Sequence, residues 1–162
     1  MYKLKSQEFK DKRELYDFLA GQVEHLLADE RNMIANCANF AALLYQSIPE
    51  VNWLGFYFLK DTQLVVGPFQ GNPACVRIEL GKGVCGTAAV KRETVIVSDV
   101  HAFPGHIACD ARSNSEIVLP LIKEKILIGV LDIDSPIRNR FDRDDQAGLE
   151  RLVGVLTTKT DF

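Results

Sequence analysis

Four cysteines are the residues whose chemistry stands out: Cys37, Cys75, Cys85 and Cys109. In a reducing compartment a cysteine is a small buried hydrophobe, a metal ligand or a redox group more often than half of a structural disulfide. Cys109 sits in a polar loop, HIACDARSNSE, and Cys85 begins a predicted short helix. A loop thiol is accessible and a helix N-terminus stabilises a thiolate. Two such thiols suggest a cysteine-based redox cycle. Cys37 lies on the apolar face of a predicted long helix and reads as inert core. Two other readings compete. Cys75, Cys85 and Cys109 are separated by nine and then twenty-three residues, and with His101 and His106 they form a conceivable zinc set. The short Cys-x₂₋₄-Cys spacing of structural zinc sites is absent, which counts against metal. The thiols are otherwise unrelated core residues.

A second constellation is acidic. Asp132 and Asp134 are two apart on a predicted strand, so they share one face, while Leu131 and Ile133 point to the other. Glu116 opens the neighbouring hairpin strand and faces them. Carboxyls gathered on one sheet face repel one another, and at least one must hold its proton to higher pH, which supplies a neutral acid. The alternative is a solvated sheet edge or a turn cap. Trp53 and Tyr57 also share a face, with Gly55 between them. A flat aromatic floor of that kind suits a thioether or methyl-bearing ligand, although ordinary core aromatics look the same. The stretch GKGVCG (Gly81, Gly83, Gly86) matches G-x-G-x-x-G. Its helix is too short for a parallel crossover and hairpins follow it, so a dinucleotide site is disfavoured. Its first N–H groups remain suited to a small anion such as a carboxylate.

These residues need elements to hold them. Apolar spacing predicts helices over Asp11–Ala28 and Asn32–Ser47, the second ended by Pro49. Strands follow at Val51–Lys60, Leu64–Gln70 and Cys75–Leu80, then a short helix over Val84–Lys91 and a strand at Thr94–Ser98. A loop of about 17 residues, Asp99–Ser115, carries Cys109; loops that long inside a compact domain are often functional. Strands at Glu116–Lys123 and Ile126–Asp134 join through Glu124-Lys125. A last helix starts near Asp142 with an acidic first turn and runs to about Thr157. Hairpins separated by irregular crossings indicate an α+β fold, a central antiparallel sheet flanked by helices. The whole chain, 1–162, reads as one domain.

Composition narrows the function. The 162 residues are 47% hydrophobic and 25% charged, the balance of a folded globular domain rather than a disordered chain. A net charge of -3 argues against a nucleic-acid binder. The longest run without charge, Asn32–Pro49, is interrupted by Asn and Gln, so no membrane span is expected. The N-terminus lacks the apolar core of a signal peptide, and a cytoplasmic location is the expectation.

The segments GPFQGNPACVRIELGKGVCGTA, HAFPGHIACDARSNSEIVLPL and IGVLDIDSP resemble the free methionine-(R)-sulfoxide reductases, single-domain proteins of the GAF fold. The resemblance covers nearly the whole chain and is closest from about Trp53 to the final helix. It includes loop segments with no generic packing role, and all three cysteine positions of the family pattern are present. It implies reduction of free L-methionine-(R)-S-oxide to methionine, with thioredoxin as reductant, a homodimer as the usual state and no metal or organic cofactor. It makes Cys109 the nucleophile and gives Cys85 and Cys75 the resolving roles, without deciding between them. It puts Trp53 and Tyr57 at the substrate pocket, with Glu116, Asp132 and Asp134 as its polar side. Glu116 and Asp134 become candidates for the proton donor and its partner, and Asp132 for the group that holds the substrate ammonium. The competing reading is a non-catalytic GAF-type sensor of a small ligand, which has no need of three cysteines.

Overall fold

The computed structural model of the chain describes residues 8–105 and 110–162. Helix α1 (Lys12–Leu26) is capped by Asp11, whose side chain accepts from the Glu14 N–H. Helix α2 (Met33–Ser47) is capped in the same way by Asn32 through the Ala35 N–H. A side-chain oxygen at this position satisfies one of the free N–H groups of the first turn. Both helices therefore begin where the sequence puts a short polar residue ahead of an apolar stripe. They are followed by strands β1 (Trp53–Lys60), β2 (Gln63–Gln70) and β3 (Arg77–Glu79), helix α3 (Gly83–Lys91) and strand β4 (Val95–Val97). Strands β5 (Ser115–Lys123) and β6 (Ile126–Ser135) and helix α4 (Arg143–Lys159) complete the described chain. Ahead of α4, the Asp142 side chain accepts from Asp144 and Asp145 N–H groups, and the Asp145 side chain accepts from the Asp142 N–H in return.

The six strands form one sheet in the order β3-β2-β1-β6-β5-β4, and every recorded pair is antiparallel. No parallel crossover exists in this sheet, so the glycine stretch before α3 is not part of a βαβ unit. The β5–β6 hairpin turns on Glu124 and Lys125, with φ of 50° and 67°. Two successive positive φ values give the turn twist that matches a hairpin.

Strand alternation divides the sheet into two faces. Leu54, Phe56, Ile117, Leu119, Leu131 and Ile133 pack with α1, α2 and α4 in the larger core. Trp53, Tyr57, Val118 and Val130 point the other way and pack with α3 in a smaller one. Cys37 lies in the larger core at 0% exposure, as its place on the apolar face of the helix requires. The long loop is less featureless than expected. Val100–Ala102 form a 3-10 turn whose N-cap, Asp99, accepts from the His101 N–H.

Candidate functional site

Pairing register places the acidic side chains. Glu116 of β5 lies opposite Asp134 of β6, and Val118 lies opposite Asp132. On the other side of β6, Asp134 lies opposite Trp53 and Asp132 opposite Gly55. Residues directly opposite in an antiparallel pair project to the same face. Glu116, Asp132, Asp134, Trp53, Gly55 and Tyr57 therefore share the face covered by α3. The alternation expected from sequence is the one observed.

Helix α3 brings Cys85 onto this face. The turn before it folds on its own backbone: the Gly81 N–H donates to the Gly86 carbonyl at 2.9 Å. A Cβ on Gly86 would lie 2.4 Å from the Glu79 carbonyl oxygen, so only glycine allows this closeness. The glycines thus serve the turn that presses α3 onto the sheet. Cys85, the third residue of α3, ends with its Sγ 4.0 Å from Glu116 Oε1. Cys85, Glu116 and Asp132 each offer a ligand atom, and these atoms all lie within 4.8 Å of one another.

The cluster is buried. Glu116, Asp132 and Asp134 are 5%, 7% and 8% exposed, and Cys85 is 3% exposed. They line a cavity of about 20 Å³ together with Lys82, Gly83 and Ser113. Burial pushes the Glu116 carboxyl well above the usual carboxylate range, and the charges of Asp132 and Asp134 add to the effect. Asp134 is raised first by burial and then by Asp132 and Asp110, while a hydrogen bond with Ser113 works the other way. Asp132 is raised by burial to about 6, less than its neighbours, because Cys85, Glu116 and the Ile133 backbone donate to it. Asp132 is accordingly the most acidic of the three, and Glu116 and Asp134 hold their protons to higher pH. Oδ1 of Asp132 is buried without a hydrogen-bond partner.

One expectation is overturned here. The helix N-terminus does not make Cys85 a ready thiolate. Burial and then the charges of Asp132 and Glu116 push its thiol well above the ordinary value. A screened helix dipole is worth about 0.3–1 kcal/mol, too little to offset burial beside carboxylates.

Cys75 is half-buried at the start of the segment leading into β3, and it is disulfide-bonded. Cys37 and Cys85 are free thiols. Cys109 and His106 lie outside the described residues. Trp53 and Tyr57 are buried and stacked, with ring centroids 5.8 Å apart. They lie beneath the segment that carries Cys75 rather than in the wall of the small cavity: Trp53 Nε1 donates to the Asn72 carbonyl and Tyr57 Oη to the Cys75 carbonyl, both at 3.0 Å. Gly55 leaves the space for this stack, since a Cβ there would lie 2.7 Å from the Trp53 ring and 2.3 Å from Phe69 Cβ.

A polar chain beside the cluster was not anticipated. Asn52 Nδ2 donates to Ser113 Oγ at 3.1 Å and to Asp110 Oδ2 at 3.3 Å. Arg112 Nη2 donates to Asp110 Oδ2 at 2.7 Å, and these bonds hold the Asp110 carboxyl below the usual range. Asp110 directly follows Cys109 in the chain. Asn52 precedes β1 and carries no sequence signal beyond being a polar residue ahead of an aromatic strand; only the β1–β6 register makes its position visible.

The chain matches the GAF domain model over residues 37–158. It is 52% identical to the free methionine-R-sulfoxide reductase of Escherichia coli, over 90% of this chain and 88% of that protein. The chain belongs to the free methionine-R-sulfoxide reductase family of GAF domains. Family members solved in complex with substrate share the fold. The fRMsr of Staphylococcus aureus superposes with a TM-score of 0.86 at 51% identity, covering 89% of this chain and 94% of that one. The Neisseria meningitidis enzyme gives 0.91 at 44% identity, covering 95% and 93%. Among the described residues no helix is long and apolar enough to cross a membrane.

Proposed function

We propose that the chain reduces free L-methionine-(R)-S-oxide to L-methionine, with Cys109 as nucleophile. The observation that carries this reading is the buried triad of carboxyls beside Cys85, in a chain 52% identical to a named reductase of this substrate. The Cys109 thiolate attacks the sulfoxide sulfur, the S–O bond of the substrate breaks as the oxygen passes to Cys109, and methionine leaves with Cys109 as a sulfenic acid. That oxygen departs from sulfur only when protonated, and Glu116, whose proton burial holds to higher pH and which Asp134 backs, donates the proton. Asp132 keeps its charge at neutral pH, and its unpartnered Oδ1 receives the substrate ammonium. Gly83 and Val84, at the start of α3, line the cavity, and the free N–H groups of a helix's first turn suit the substrate carboxylate. Trp53 and Tyr57 back the thioether side.

The sulfenic acid condenses with a second thiol, forming an S–S bond and releasing water. Cys75 is the resolving residue in this reading. Its disulfide-bonded state supports that choice, and so does the burial of Cys85 as a protonated thiol. Thioredoxin restores the dithiol by exchange, taking the oxidation onto its own cysteine pair. The working form is a homodimer in the cytoplasm.

The test is methionine release from each sulfoxide epimer, with dithiothreitol as reductant. Release from the (R) epimer alone, lost in Cys109→Ser, is expected. In single turnover without reductant, Cys75→Ser still releases one methionine per chain, but it fails to turn over with thioredoxin. Binding of the sulfoxide without release would reject catalysis and leave a sensor. Full thioredoxin-linked turnover by Cys75→Ser would move the resolving role to Cys85.

A further inference from the structure

We propose that Cys85, Glu116 and Asp132 form a binding site for a thiophilic divalent cation of the Zn²⁺ class, set inside the pocket that takes the substrate. The three ligand atoms come from α3, β5 and β6 and lie within 4.8 Å of one another. The Cys85 Sγ–Glu116 Oε1 separation is 4.0 Å. Zn–S and Zn–O bonds of about 2.3 and 2.1 Å at a tetrahedral angle require an S–O edge of about 3.6 Å, so this edge needs to shorten by only about 0.4 Å.

A cluster of carboxyls alone would not argue for a ligand, because the groups can satisfy one another. Here one oxygen is left over after they do so. Asp132 is 7% exposed, and its Oδ1 has no hydrogen-bond partner. A buried carboxylate oxygen left unpaired is costly, which marks a place for a cation or a donor. The adjoining cavity, at about 20 Å³, has room for a single ion or water beside these atoms. Three further facts favour a cation. Asp134 stands in the same cavity wall, Lys82 is the one basic side chain among its described lining residues, and Lys82 is exposed.

The donor set selects the metal. Oxygen ligands alone would suit Mg²⁺ or Ca²⁺, whereas a cysteine sulfur beside two carboxylates suits Zn²⁺ and its spectroscopic substitute Co²⁺. The Zn–S bond forms as the Cys85 thiol proton leaves to solvent, and Glu116 releases its own proton to solvent as its oxygen binds the metal. Three protein ligands leave a fourth position open toward the cavity. A cation there occupies the space assigned above to the substrate ammonium, so metal and substrate exclude each other. That exclusion rests on the proposed reaction; the metal site itself does not.

The experiment is titration of the disulfide form with Co²⁺ in the absence of thiol reductant, followed by near-ultraviolet absorption. One Co²⁺ per chain with a thiolate-to-cobalt charge-transfer band is expected, displaced by Zn²⁺ and not by Mg²⁺. The band disappears in Cys85→Ser and persists in Cys37→Ser, whose thiol lies in the other core. Asp132→Asn, checked for folding by circular dichroism, keeps the thiol and binds about tenfold or more weakly. Absence of the band at saturating Co²⁺ would overturn the proposal, as would its persistence in Cys85→Ser, equal competition by Mg²⁺, or unchanged affinity in Asp132→Asn. No arm uses reductase activity, so failure here is separable from failure of the proposed reaction.

Discussion

The two faces of the sheet are cut from the same strands and are stabilised in opposite ways. On one face Leu54, Phe56, Ile117, Leu131 and Ile133 are all 0% exposed beneath three helices. On the other, the alternate residues of those strands are Trp53, Gly55, Glu116, Asp132 and Asp134, covered by the single short helix α3. The first face removes hydrocarbon from water at about 25 cal/mol per Å² and stabilises the fold. The second removes carboxyls from water, which costs free energy unless they stay neutral or find partners. A domain can carry the second face because the first is so complete. Function and stability are thereby separated by a single pleat: moving one residue along β6 exchanges a core leucine for a site carboxylate.

The largest expected effect is on the site face, with little effect on stability. Glu116→Gln preserves shape and removes the proton that the mechanism assigns to the sulfoxide oxygen. General-acid catalysis contributes about 10²–10⁴-fold, so the single-turnover rate of methionine release should fall by about that factor. Thermal stability at neutral pH should be unchanged or higher, because the variant no longer buries a titrating group. An unchanged rate would remove Glu116 from the donor role and leave Asp134 as the candidate.

The opposite face should give the reverse pattern. Phe56 is 0% exposed, with its ring 5.8 Å from Phe40 of α2. Phe56→Ala should cost about 3–5 kcal/mol of unfolding free energy, read by urea denaturation. Activity of the fraction still folded should stay within a few-fold of the parent, since Phe56 points away from the cluster. A selective loss of activity in fully folded Phe56→Ala would show that the two faces are coupled through the sheet.

Much of this division was legible in the sequence, because it depends on alternation. IGVLDIDSP assigns Leu131 and Ile133 to one face and Asp132 and Asp134 to the other, and helix caps such as Asp11, Asn32 and Asp142 announce their helices. Features set by contacts distant in sequence were not legible. Asn52 and Ser113 are 61 residues apart, and only register and loop return bring them together. The state of Cys85 was misread for a related reason. Its own helix favours a thiolate, but the carboxylates that oppose one arrive from β5 and β6. The depth of the aromatic pair was likewise invisible: Trp53 and Tyr57 anchor the Cys75 segment through its carbonyls, and a strand pattern does not encode such bonds.

The smallest effect is the one that measures the cost of the polar face directly. Asp132 titrates near 3.8 when exposed and near 6 in the fold, raised by burial. Between those values the folded chain binds more protons than the unfolded one, so this group's contribution to stability falls as pH rises. The contribution is fully present below 3.8 and is lost as pH passes through about 6. Asp132→Asn has no proton to lose. The melting temperature of the variant minus that of the parent should therefore climb across this window and level off above it. Each kcal/mol of relief should appear as about 2–4 °C in a domain of this size. Groups elsewhere that titrate in the other direction, such as Asp142 and Asp161, are common to both proteins and cancel in the difference. A flat or falling difference would mean that Asp132 is stabilised as a carboxylate by its donors more than it is penalised by burial. The two faces would then be less unequal than their residues suggest.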